Sequence, residues 1–126
     1  MTAYTIALLP GDGIGPEITR VARAVIDHVA ALEGFAVRFT EHDFGGASID
    51  CCGEPLSDDT LAACRAADAV FLGAVGGPKW DNAPSRPEAG LLALRKALGV
   101  YANLRPAAVH PALADKSPLR ADLVAT

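Results

Sequence analysis

Cysteine is scarce in this chain, with three residues in 126: Cys51, Cys52 and Cys64. An odd count with two members adjacent offers no disulfide framework. No C-x-x-C is present and His28, His42 and His110 are scattered, so a metal cluster is not suggested either. The three are expected to be ordinary reduced thiols. Long hydrophobic runs are also missing, and nothing approaches the roughly 20 apolar residues of a membrane span. The opening residues up to Leu9 contain no Lys or Arg, and their apolar run is stopped by Pro10, unlike a secretory signal. Basic excess is lacking as well: 11 Lys and Arg stand against 15 Asp and Glu, a formal charge of −4. The signs are interspersed, which argues against a nucleic-acid or anionic-membrane partner. A soluble, cytoplasmic chain is the expectation.

What is present is an alternation. Residues 4–9 read as a short strand ended by Pro10-Gly11. Ile18, Val21, Ala22, Val25, Ile26, Val29 and Leu32 then follow the spacing of one amphipathic helix. Pro16 suits its first position, Glu17 the positive end of its dipole and Gly34 its stop. Residues 35–44 read as a second strand, closed by Gly45-Gly46. Residues 56–67 read as a helix capped by Ser57, with Asp58 and Asp59 in its first turn. The apolar run 69–75 has the pattern of a strand buried on both faces. A long loop follows, then a helix over 88–98 stopped by Gly99, then an extended stretch over 100–109. Alternating strand and helix means an α/β fold with a largely parallel sheet. Residues 117–125 read as the start of another helix inside which the chain stops, so the chain is expected to be a fragment.

Three places could carry chemistry. The first is LPGDGIGPE, residues 9–17, between a strand and a helix. A Gly-rich turn there lets backbone N–H groups and a helix N-terminus approach an anionic ligand. The spacing of Gly11, Gly13 and Gly15 matches neither G-x-G-x-x-G nor G-x-x-x-x-G-K, and a plain tight turn explains it equally well. The second is the loop 76–88, whose prolines stiffen it and whose Lys79, Trp80 and Arg86 suit a flat anionic cofactor. It leaves the carboxyl end of a strand, where open parallel sheets bind ligands. The third is the next helix, where Glu88, Leu91, Leu92 and Arg95 fall on one face, followed by Arg105. Two guanidiniums could hold two carboxylates bidentately. A core stripe beside solvated arginines is the alternative.

The segments LPGDGIGPE, FGGASID, GAVGGPKWD, RPEAGLLALRK and YANLRP together resemble the 3-isopropylmalate dehydrogenases, of the isocitrate/isopropylmalate dehydrogenase family. The opening motif is shared across that superfamily, whereas GGPKWD followed by RPE-x-GLL-x-LRK is narrower. The resemblance implies an α/β, isopropylmalate dehydrogenase-like two-domain fold with a large mixed twisted sheet, only its N-terminal part being present. Residues 1–99 would be the first half of the first domain, and 100–126 a crossover strand and the start of the second. It implies NAD, bound by Ile14 and by Gly77, Pro78, Lys79, Trp80, Asp81, Asn82, Ala83, Pro84, Ser85, Arg86, Pro87 and Glu88. It implies a malate whose carboxylates meet Arg95 and Arg105 and whose isopropyl group meets Leu91 and Leu92. A bare apolar pair is a poor host for the third carboxylate of isocitrate. Mg²⁺ or Mn²⁺, its ligands and the acid–base Lys and Tyr are implied to lie beyond this chain, as is the homodimer of the full-length enzyme. The chain alone is therefore expected to be inactive. Two other readings stay open: a sister tartrate, malate or alkylmalate dehydrogenase, and a short non-catalytic chain that binds nucleotide or dimerises.

Overall fold

The computed structural model describes residues 2–106, 110, 116 and 118. The chain runs β1 (Ala3–Gly11), α1 (Gly15–Glu33), β2 (Ala36–Glu41), α2 (Gly46–Cys52), α3 (Asp58–Ala66), β3 (Ala69–Ala74), a 3-10 turn (Pro78–Trp80) and α4 (Pro87–Leu98). The three strands form one parallel sheet in the order β2-β1-β3. Ala3 pairs with Ala36 on one side of β1, and Ile6 with Ala69 on the other. Parallel pairing needs a crossover between strands, which α1 provides from β1 to β2 and α2 with α3 from β2 to β3.

The central strand carries the deepest residues, Ala7, Leu8 and Leu9, at 0, 1 and 0% exposure. One face of the sheet packs with Phe44, Cys64 and Leu94 into a core that Leu56, Leu61, Val70, Leu72 and Leu91 complete. Phe44 alone, fully buried, contributes up to about 3 kcal/mol by transfer from water. The run expected to be buried on both faces is instead an edge strand. Every residue of β3 keeps some exposure, because β1 has taken the middle of the sheet.

Local signals explain most element ends. Ser57 Oγ accepts from the Thr60 N–H at 3.2 Å, capping α3 as its sequence suggests. α4 stops where Gly99 turns left-handed at φ 68°, its N–H donating to the last-turn carbonyls. Residues 101–106, part of the stretch expected to be extended, carry no strand pairing among the described residues. One expectation is corrected. α1 does not dock through its whole apolar stripe: its buried residues are Gly15, Thr19 and Ala30, while Val21, Val25 and Leu32 are 58, 58 and 71% exposed. Small side chains let the helix approach the sheet closely and turn the larger ones outward. The helix expected over 117–125 falls outside the described residues, apart from Pro118.

Cys51 and Cys52 lie side by side at the end of α2 with their sulfurs in contact. Cys64 is free and buried in the core, and burial raises its thiol above the ordinary value because a thiolate there would lose its solvation. The folded thiol thus keeps its proton at pH values where the unfolded one has lost it. This contribution to stability is fully present below the ordinary thiol pKa and is lost as pH rises through the folded value. Native Cys64 should resist iodoacetamide at neutral pH and react on addition of denaturant. Labelling at equal rates in both conditions would contradict this burial.

Candidate active-site face

Two of the three sites suggested by the sequence, the Gly-rich turn and the loop after β3, meet at the carboxyl ends of the parallel strands, where this class of sheet binds its ligands. The β1–α1 turn, the β2–α2 turn and the loop after β3 meet there around one side chain, Asp12. Its backbone N–H donates to Ala74 O at 2.7 Å. Its carboxylate accepts from Gly46 N at 2.8 Å, Ala47 N at 2.8 Å and Gly76 N at 2.9 Å. Asp12 is 5% exposed, so these bonds form in a nearly water-free setting where each donor would otherwise be unpaired. The Gly-rich motif turns its acid inward. No spacing in the sequence reveals this, since the donors lie 34, 35 and 64 positions away.

The loop after β3 lies over this hub. Trp80 packs on Gly46 so closely that a Cβ there would sit 2.3 Å from the indole. Glu88 folds its carboxylate over Gly76, where a Cβ would be 2.7 Å from Oε1. Lys79 pairs with Asp50 of α2 and lies 5.2 Å from the Trp80 ring centre. Arg86 faces Asp81 at 3.6 Å and Glu88 at 3.8 Å. These pairs are exposed and add little stability. They do set the character of the surface, since Lys79 and Arg86 are outnumbered by Asp50, Asp81 and Glu88. Ile14, 61% exposed, stands at the tip of the first turn.

The α4 residues are not gathered into one place. Leu91 packs against the core and, with Arg95, lines an open groove beside Cys64 and Leu72. Leu92, 67% exposed, lines a second hollow with Glu88, Pro84 and Arg86. Arg105 is exposed in the irregular stretch 101–106. Among the described residues no three His, Cys, Asp or Glu side chains converge as a metal site would require. No helix among them is long and apolar enough to cross a membrane.

A family model described as isocitrate/isopropylmalate dehydrogenase matches residues 5–126. The chain belongs to the isocitrate/isopropylmalate dehydrogenase family. A 3-isopropylmalate dehydrogenase of Salinibacter ruber is 63% identical over 124 residues, covering 97% of this chain and 34% of the relative. One from Anaeromyxobacter dehalogenans is 62% identical over 117 residues, covering 91% of this chain and 33% of the relative. The chain thus spans about a third of the length of these relatives. The crystal structure of a beta-decarboxylating dehydrogenase from Thermococcus kodakarensis superposes with a TM-score of 0.64 and 38% identity, over 78% of this chain and 27% of that one. An isocitrate dehydrogenase from Methylococcus capsulatus gives 0.64 and 34%, over 78% and 26%. The α/β parallel-sheet fold expected from the sequence is therefore that of this dehydrogenase family.

Proposed function

We propose that these residues are part of an NAD-dependent 3-isopropylmalate dehydrogenase of leucine biosynthesis, a cytoplasmic homodimer that makes 2-oxoisocaproate by oxidative decarboxylation. The observation that carries the reading is the exposed Leu92 beside Glu88, on the helix that also presents Arg95. An apolar side chain held in the open suits the alkyl part of such a substrate, and Arg95, one turn further along α4, suits its carboxylate. Isocitrate, with a carboxylate in place of the alkyl group, would leave that charge desolvated against leucine.

In this reading Arg95 and Arg105 hold the malate carboxylates through charge-assisted hydrogen bonds, and Leu91 and Leu92 meet the isopropyl group. Ile14 and the 77–88 segment receive the nicotinamide end of NAD, with Glu88 accepting from its hydroxyl or amide groups. When bound, NAD would supply a hydride acceptor and a divalent cation, Mg²⁺ or Mn²⁺, would supply a Lewis acid at the substrate hydroxyl, so that the hydroxy acid would give up a proton and a hydride and then exchange its β-carboxylate, as carbon dioxide, for a proton. The residues described here bind and orient, while the metal ligands and the acid–base groups are assigned to the rest of the protein.

The test is turnover by the intact protein with NAD and Mg²⁺. The kcat/KM for 3-isopropylmalate should exceed that for isocitrate, tartrate or malate by about 100-fold or more, the scale set by mispaired buried polar groups. A preference for any of those three would overturn the substrate assignment. The 126-residue chain alone should show no turnover.

A further inference from the structure

We infer that Asp12 is a positioning residue for the loop that carries Trp80 and Glu88, and that it sets the affinity of that loop for the nicotinamide end of the cofactor. Two independent lines run from its carboxylate. Through Gly46 N, at 2.8 Å, it fixes the backbone on which the Trp80 indole rests. Through Gly76 N, at 2.9 Å, it fixes the residue over which the Glu88 carboxylate folds. Both donors share Oδ2, while Ala47 N takes Oδ1 at 2.8 Å, so the carboxylate is held in one orientation.

Both ends of the loop are thereby anchored to the sheet while the segment between them stays exposed. Pro78 and Pro84 restrict the backbone between the anchors. A loop held in this way needs little ordering when a ligand arrives, and the entropy cost of binding falls accordingly. Cutting the anchors should therefore weaken binding without touching any group that meets the ligand. The cofactor part of this inference depends on the proposed function, whereas the anchoring part does not.

Asp12→Asn separates the two. It keeps the volume but leaves one oxygen for three N–H donors and turns an NH₂ toward at least one of them. In the intact protein labelled with 5-fluorotryptophan, the Trp80 resonance, identified by its loss in Trp80→Phe, should shift and broaden in Asp12→Asn. The KM for NAD should rise about 10- to 100-fold, as expected for a misplaced binding group, while that for the hydroxyacid changes less than about 2-fold. In the unsubstituted protein, deuterium exchange at Gly46, Ala47 and Gly76 should be as slow as at Ala7 to Leu9 in β1.

Fast exchange at those three amides would overturn the proposal, and would do so even if Asp12→Asn failed to fold. So would a folded Asp12→Asn with an unchanged Trp80 resonance, or one in which both KM values rise equally. A shifted Trp80 resonance with slow wild-type exchange, in a protein that binds no NAD, would leave the anchor standing and remove the cofactor assignment.

Discussion

Replacing Gly15 by Ala should destabilise the intact protein by about 3 kcal/mol or more, the upper end of forced backbone displacement and overpacking in a core. The reason is steric. A Cβ at Gly15 would lie 2.0 Å from Pro10 O and 2.9 Å from Ala74 N. Those atoms belong to the ends of two paired strands and cannot rotate away as a side chain would. The helix start would have to lift off the sheet, breaking the bond from Gly15 N to Asp12 O at 2.8 Å.

Its neighbour in the same motif provides the control. Gly13 sits at φ 56° with nothing within 4 Å of its would-be Cβ. Ala there pays only the left-handed backbone strain, about 1–2 kcal/mol, and Asn less. Urea melts of the two Ala variants should therefore differ in stability by about 1 kcal/mol or more, in the order stated. Equal midpoints would mean that the turn is not packed against β3 as described. The contrast also shows that a glycine needed for packing and one needed for a turn can look alike in one Gly-rich motif.

The second large effect belongs to Arg95. Its replacement by Ala should lower kcat/KM for 3-isopropylmalate by about 10²- to 10³-fold, equivalent to 2.7–4 kcal/mol for a charge-assisted carboxylate contact. The side chain is exposed on α4 and caps nothing, so the melting temperature should hardly change. Arg95→Lys should recover only part of the loss, since an ammonium keeps the charge without the planar two-point fork. The loss should appear mainly in the KM of the hydroxyacid, with the KM for NAD near its original value. A kcat/KM within about 2-fold of wild type would remove Arg95 from the substrate site and leave it a solvated arginine. Together with Asp12→Asn this gives opposite signatures: one variant spares the cofactor, the other spares the hydroxyacid.

Much of the scaffold was legible before any coordinates. The β-branched and aliphatic run before Pro10, the cap at Ser57 and the stop at Gly99 are local devices, and local rules of backbone energy decide them. The helix α2 was not legible. Seven residues beginning GAS and ending in two cysteines have weak helix propensity, and their first N–H groups are held by Asp12 and their first residue covered by Trp80, both distant in sequence. Leu91 and Leu92 show the same limit. Helical spacing puts them on one face, but the core lies close enough to claim Leu91 and leave Leu92 outside.

By itself the sequence determined the alternation of strands and helices, the loop at the carboxyl end of β3 and the dehydrogenase resemblance. Each is written in neighbouring residues, where periodicity, caps and motifs act over a few turns of chain. Tertiary structure alone decided that β1 lies at the centre and β3 at an edge, that α1 turns its valines outward, and that Asp12 gathers three turns. The pairing of strands and the satisfaction of a buried carboxylate depend on which distant groups arrive at the same place. Only the folded chain brings them within hydrogen-bonding distance.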